Sequence, residues 1–312
     1  MMNYYKIIFT LIGFIITIQG FAQDDLMQQL DKETEKKKEF TQSTFKSTRV
    51  INSHSLETLG KGALDFRISH RFGSFNSGFN NWYGLDGPAT IRLSFEYSIN
   101  NRLMVGIGRS SQGKLYDMTF KYRVLRQTTN NSMPVSVTAL YVANMTGQQD
   151  LTKASTGFDR YGDFANRFSN VAQVIIGRKF GKRLSLQVAP TFVHINLVDR
   201  SDDKNDLYAI ATAGRYKFSR SMAITYDYVY RIYNGSGEFN HYYNSLGIGL
   251  DIETGGHVFQ MFVTNSTGMN EAQFIPYTSS SWKNGGIRLG FNVSRVFSFK
   301  KRKKNNESYE KK

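Results

Sequence analysis

From Ala63 onward, apolar and polar residues alternate with a period of two. Leu64, Phe66, Ile68, His70 and Phe72 alternate with Asp65, Arg67, Ser69 and Arg71. Ile91, Leu93, Phe95, Tyr97 and Ile99 alternate with Arg92, Ser94, Glu96 and Ser98. The same rhythm runs through Tyr116 to Val124, Met222 to Arg231 and Ile287 to Ser294. Weaker versions occupy 102–109, 134–143, 170–179, 183–194, 207–217, 244–252 and 257–264. A period of two marks a strand with two unlike faces. The pattern predicts about 12 strands of about 8–12 residues, the length a tilted strand needs to cross a bilayer.

The connections alternate too. Tight turns are predicted at Ile99-Asn100-Asn101-Arg102, Phe180-Gly181-Lys182-Arg183, Ser219-Arg220-Ser221 and Thr254-Gly255-Gly256. A fairly short link runs near Gln127 to Met133. Long connections at 73–88, 144–169, 195–206, 232–243 and 265–284 mostly follow odd strands, with Ser110 to Gly113 the exception. Outer-membrane barrels have this arrangement, with short turns periplasmic and long loops outside. An even strand count then puts both termini in the periplasm.

A soluble sandwich or periplasmic barrel also alternates. Two features favour the membrane. The apolar face persists on every strand, while the polar face carries many charges of both signs. Aromatics gather near strand ends at Tyr97, Tyr116, Tyr122, Tyr208, Tyr216, Phe218, Tyr242, Phe297 and Phe299, as an interfacial girdle would. A sheet in hydrocarbon must close, because an open edge leaves backbone groups unpaired. The fold class read here is all-β: a closed antiparallel transmembrane β-barrel.

Before the barrel, the chain reads as an export signal. Met1 to Lys6 is short and basic, Ile7 to Ile18 is apolar and uncharged, and Gln19-Gly20-Phe21-Ala22 offers small residues for cleavage. The assignment is 1–22 as signal peptide, 23–61 as a charged periplasmic lead-in, 62–299 as barrel and 300–312 as a basic tail. Composition narrows the chemistry. The 312 residues include no cysteine, which excludes disulfides, cysteine-held metals and a thiol nucleophile. Net charge is +15, yet an exported chain makes nucleic acid a poor partner. Aromatics are 14% and mean hydropathy is -0.41, too low for a helical membrane protein.

The front of the chain carries a further pattern. Arg49-Val50-Ile51-Asn52-Ser53-His54-Ser55-Leu56-Glu57-Thr58 is followed by Leu64-Asp65-Phe66-Arg67-Ile68-Ser69-His70-Arg71-Phe72-Gly73. Ser77-Gly78-Phe79 with Gly84-Leu85-Asp86, Val105-Gly106-Ile107-Gly108-Arg109-Ser110-Ser111, Lys121 to Gln127 and Met133 to Val137 continue it. These stretches resemble the uncharacterised outer-membrane β-barrel family called domain of unknown function 5777. The resemblance covers under half of the mature chain. It implies an exported barrel and no established activity, so no functional residue carries over.

The polar face supplies the candidate chemistry. The predicted lumen charges are Asp65, Glu96, Asp117, Asp227 and Asp251 against Arg67, Arg71, Arg92, Lys121, Arg123, Arg215, Lys217, Arg231 and Arg288. Such charges can pair across strands and fill the interior, or form a positive lumen favouring a small anionic solute. Ala209, Ala211, Ala213, Gly247 and Gly249 would leave space opposite them. The expected role is a passive pore or a binding or scaffold barrel, not an enzyme, with no cofactor, no metal site and outer-membrane lipids as partners.

A barrel hydrolase acting on lipid or peptide is the alternative. Among His54, His70, His194, His241 and His257, His54 is the most suggestive because Ser53 and Ser55 flank it. Its expected place is periplasmic, and that of His70 is the lipid face. Ligand binding or adhesion by outer loops would rest on Trp82 and Tyr83 in the 73–88 connection. The tail 300–312, with seven bases and two acids, would meet anionic headgroups or stay solvated.

Overall fold

The computed structural model describes residues 39–150, 159–198, 202–233 and 237–299. The expected signal peptide, residues 23–38 of the lead-in and the basic tail lie outside the described residues. The alternating stretches form twelve strands. They are β1 (Ala63–Arg71), β2 (Thr90–Ser98), β3 (Leu103–Ser110), β4 (Leu115–Leu125), β5 (Ser136–Thr146) and β6 (Phe168–Phe180). The second half comprises β7 (Leu184–Ile195), β8 (Asp206–Lys217), β9 (Met222–Ile232), β10 (Ser245–Glu253), β11 (His257–Thr264) and β12 (Arg288–Ser298).

Each strand pairs antiparallel with its sequence neighbours, and β12 returns to β1 from Ala63↔Ser298 to Arg71↔Gly290. The closed barrel therefore has no free edge, the condition hydrocarbon imposes on a sheet. The ladder breaks register between β4 and β5 at Arg123/Leu125. Among the described residues no helix is long and apolar enough to cross a membrane.

The two faces divide as the period of two requires. Outward side chains such as Phe95, Ile107, Met118, Tyr141 and Ile224 are exposed, whereas Asp65, Arg67, Glu96, Asp117 and Thr119 are buried inside. Phe66 stacks on Phe95 across the outer face at 4.9 Å. Rim aromatics are exposed at Tyr97, Tyr116, Tyr122, Tyr208, Tyr216, Phe218, Phe297 and Phe299. Tyr242 departs from the expected girdle. It packs against Phe239 and Tyr277 at the mouth, 6.3 and 5.5 Å between ring centres.

Two segments lie where the strand pattern does not place them. Residues 44–56, expected in the periplasmic lead-in, are almost wholly buried, with Phe45, Val50, Ile51 and Leu56 in the apolar core. The connection 265–284, expected as an outer loop, turns inward over residues 265–278. Its one-turn helix α1 (Glu271–Phe274) is buried and capped by the Asn270 side chain, which accepts from the Ala272 N–H. Both segments satisfy polar groups on the wall that alternation alone leaves facing a void.

The outward face sets a direct expectation. Replacing a mid-strand lipid-facing residue by arginine costs about 2–4 kcal/mol in a transmembrane barrel. Phe95→Arg should lose that much in unfolding from lipid vesicles. Thr119→Ser, on the inner face, should stay within about 1 kcal/mol.

Candidate functional site

The site is the filled lumen, and residues 44–57 fill it. The chain approaches from the short-turn end. Phe40 bridges Thr128, and Thr41 N–H donates to the Gln127 carbonyl at 2.9 Å. It then doubles back as a tight hairpin. The Ser55 N–H donates to the Thr48 carbonyl at 2.9 Å, and the Val50 N–H to the Ser53 carbonyl at 3.0 Å. The tip is Ile51-Asn52. The return leg leaves where it came in, with the Lys61 N–H donating to Asn101 Oδ1 at 3.0 Å before β1 begins.

Many backbone groups of the hairpin pair with side chains of the wall. Asp227 on β9 accepts the Asn52 and Ser53 N–H groups on one carboxylate oxygen, at 2.8 and 3.0 Å. Lys121 on β4 donates to the carbonyls of Thr48, Ser55 and Glu57 at 3.0, 3.0 and 3.2 Å. Gln187 on β7 accepts from the Leu56 N–H at 3.1 Å and donates to the His54 carbonyl at 2.8 Å. Thr138 on β5 donates to the Leu56 carbonyl at 2.7 Å, and Asn292 on β12 to that of Ile51 at 2.9 Å. Arg71 on β1 reaches Asn52 Oδ1 at 2.8 Å, and Gln260 on β11 donates to the Val50 carbonyl. Seven strands around the barrel thus hold one short peptide.

Two glycines make room for it. A Cβ at Gly247 would stand 3.0 Å from Ile51 Cγ2, and one at Gly177 would stand 2.3 Å from Leu56 Cδ2. The space expected beside Ala209, Ala211, Ala213, Gly247 and Gly249 is filled: the alanines share one apolar cluster with Ile51 and Leu56 of the hairpin and Phe274 and Ile275 of the inward loop, and a Cβ at Gly249 would meet Phe262.

All but one of the expected lumen charges are buried: Asp65, Arg67, Arg71, Arg92, Glu96, Asp117, Lys121, Arg123, Arg215, Asp227, Arg231, Asp251 and Arg288. Lys217, near the end of β8, is half-buried. Some pair on the wall: Arg67 with Asp65 at 2.9 Å and Arg92 with Asp117 at 2.6 Å. Arg215 pairs with Glu253, and Arg123 reaches Glu57 of the hairpin's return leg at 2.7 Å. Others bind carbonyls and hydroxyls. Arg231 donates to Tyr242 and Phe239 carbonyls at 2.7 and 2.8 Å, and Arg288 to Ser280 Oγ at 3.1 Å. Asp251 accepts from Gln260 Nε2 at 3.0 Å. Glu96 has Lys121, Arg67 and Arg49 as its charged neighbours.

The reading of residues by strand period misses Arg49 and Glu271, because neither lies on a strand. Arg49 Nη1 pairs with Glu271 Oε1 at 3.3 Å, joining hairpin to inward loop, with both side chains at most 2% exposed. Arg49 Nη2 lies 2.8 Å from His54 Nε2. A guanidinium only donates, so that nitrogen accepts and the His54 proton sits on Nδ1. Burial, then the Arg49 and Lys121 cations, hold His54 well below its ordinary value. His54 is therefore neutral, and Glu271 Oε2 at 3.9 Å is a neighbour without ion pairing. His54 lies inside the barrel, not on the periplasmic side as expected.

The other histidines scatter. His70 stacks on Phe291 at 5.1 Å on the outer face, and His194 meets Asp206 at 2.6 Å. His241 is exposed, and His257 stacks on Phe259 at 5.9 Å. Trp82 and Tyr83 are exposed at φ 46° and 52°, a left-handed backbone that side chains rarely adopt. Tyr83 stacks on Phe75 at 5.0 Å, and this loop borders an apolar groove of about 430 Å³ with Val263 and Leu289. At the mouth, a polar cavity of about 320 Å³ is lined by Gln112, Arg160, Tyr161, Arg167 and Gln273.

Two outcomes follow from the anchoring. Asp227→Ala removes two hydrogen bonds to a carboxylate and should cost hairpin seating about 3 kcal/mol. Amide exchange at Asn52 and Ser53 should rise roughly a hundredfold. Acid acts in the same direction. His54 is held below its value in the released segment, so release binds a proton. Seating is intact above the ordinary histidine value and weakens as pH falls through it. Protection factors at residues 49–56, exchange rates corrected for their intrinsic pH dependence, should fall as pH drops from about 7.5 to about 5.5, and His54→Gln should flatten that response.

No curated protein matches this sequence. Among solved structures, the NanC porin is 11% identical with a TM-score of 0.46, over 76% of this chain and 100% of that one. The KdgM porin in complex with disordered oligogalacturonate is 11% identical with a TM-score of 0.43, over 76% and 99%. An outer membrane channel from Pseudomonas putida F1 is 13% identical with a TM-score of 0.44, over 79% and 100%. A family model described as a membrane bound beta barrel domain matches residues 45–297, from the start of the lumen hairpin into the last strand. The chain belongs to that family, domain of unknown function 5777.

Proposed function

We propose that this chain is an outer-membrane barrel with a latent pore, closed at rest by its own residues 44–57. One observation carries the reading. Wall residues in mid-lumen, among them Arg67, Arg71, Lys121 and Asp227, are at most 2% exposed, and each hydrogen-bonds to the hairpin that covers it. The seal is largely polar. Each hydrogen bond exchanged for water costs only about 0.5–1.5 kcal/mol net, so a polar plug can leave where an apolar core cannot. Once vacated, a wall whose expected lumen charges are nine bases against five acids, with Glu253 a further acid beside Arg215, would favour small anions. Arg160 and Arg167 border the mouth cavity through which such a solute would arrive.

The second reading is a permanent scaffold whose working face is its loops, with Trp82 and Tyr83 as anchors. Val50, Ile51 and Leu56 in the apolar core favour it. The two readings differ in conductance.

The proposed role is non-enzymatic. His54 is 1% exposed, its Nε2 is occupied by Arg49, and Ser55 Oγ donates to the Ser47 carbonyl at 2.6 Å. A base so engaged is unavailable to either serine. The export signal and the periplasmic termini belong to the same proposal, since short turns and the hairpin's entry share one end of the barrel.

Planar-bilayer recording tests it. The native chain should be silent for most of the record. Gly177→Val, whose added carbon meets Leu56 first, and Gly247→Val, whose added carbon meets the Asp227 anchor and Ile51, should unseat the hairpin and conduct, with an anion-selective reversal potential under a salt gradient. Heat-modifiable gel mobility would show that these variants still fold. Silent but folded variants would favour the scaffold. Steady native conductance as large as that of the variants would refute closure.

A further inference from the structure

On the outer face of β2–β5 lies an apolar groove of about 570 Å³ that is open to the outside among the described residues. Leu93, Phe95, Ile107, Met118 and Met145 line it. Its floor is low because Ala143 stands opposite Met118, where neighbouring outward positions carry Tyr141 and Met145. At about 300–1,000 Å³, a pocket is large enough to bury most of a small ligand, and this one offers almost only carbon.

One charge breaks that face. Arg109, near the end of β3, points outward with Leu93 and Tyr116 as its cross-strand neighbours. Among the described strands it is the one arginine or lysine directed outward in the half next to the long loops; Arg178 and Arg295 lie in the other half. Its guanidinium stands over the Tyr116 ring at 5.2 Å, and among the described residues no carboxylate pairs with it. An arginine on the lipid face of a barrel is costly away from the interface. It is stabilised where a phosphate supplies the anion, since the planar fork matches phosphate oxygens bidentately.

We propose that this groove is a specific site for a phosphate-bearing, acylated lipid. The phosphate binds Arg109 and one acyl chain lies along Ile107, Met118 and Ala143. The occupant is a lipid and not a free anion, because the groove below the cation is apolar. Nor is it a protein, because the face is continuous with the lipid-facing belt of every strand. The inference requires the barrel in a membrane and is independent of whether the hairpin leaves the lumen.

Native mass spectrometry of the full chain in detergent tests it. The probes are dipalmitoyl phosphatidic acid, dipalmitoyl glycerol and inorganic phosphate. Phosphatidic acid should give a one-to-one adduct that dipalmitoyl glycerol forms at least tenfold more weakly. Phosphate alone should neither bind nor compete. Arg109→Gln should weaken the adduct at least tenfold, and Arg109→Lys should restore part of it. Ala143→Trp, which fills the floor from the lipid side, should abolish it while gel mobility stays heat-modifiable. Equal binding of dipalmitoyl glycerol, competition by phosphate, or an adduct indifferent to Arg109→Gln or Ala143→Trp would each overturn the proposal.

Discussion

Everything in this barrel depends on partnering the polar groups of its inner wall. Alternation puts apolar side chains against lipid, so the other face of each strand must be something else. Here it is charged or hydrogen-bonding on nearly every strand. A buried charge without a partner is far more costly than one with a partner. Twelve strands enclose more space than wall side chains alone occupy, so cross-strand pairs such as Arg92–Asp117 use only part of the available chemistry. A further part is met by a peptide. The hairpin offers carbonyls to Lys121 and amide N–H groups to Asp227, and its backbone becomes the missing layer of the core.

This accounts for the excess of base on the wall. Carboxylates can neutralise only as many cations as there are carboxylates. Carbonyl oxygens accept from cations without carrying charge, and the hairpin and mouth loops present many of them. Lys121 holds three, and Arg231 holds two from the 239–242 turn. A base-rich inner face is therefore the complement of a backbone plug. Under the proposed opening, the same groups would become an anion-attracting surface, so one set of residues would serve both roles.

The wall was legible in the sequence because its signal is local. Each strand announces itself by its neighbours, and Asp65, Arg67 and Arg71 fall on one face by counting in twos. The hairpin was not legible for the opposite reason. Residues 47–57 mix polar and apolar without a period, and their partners lie far along the chain: Asp227 from Asn52, Asn292 from Ile51, Glu271 from Arg49. The small wall residues were visible, but a glycine facing a lumen looks the same whether the space is empty or filled by Ile51. The Arg49-to-Thr58 stretch did stand out as part of a family likeness, although nothing in it told where it sits. The inward turn of 265–278 was hidden likewise, since a polar stretch with Asn270 and Glu271 resembles any surface loop.

The central claim is that residues 44–57 occupy the lumen while the barrel sits in its membrane. The native chain has no cysteine, so one introduced thiol reports alone. Lys46 is 42% exposed at its side chain beside the barrel's entrance, whereas Ile51 at the hairpin tip is 1% exposed. The decisive measurement is the rate of maleimide labelling of Lys46→Cys and Ile51→Cys in outer-membrane vesicles made permeable to the reagent. The account predicts rapid labelling at 46 and at least a hundredfold slower labelling at 51. Equal rates at the two positions would contradict it.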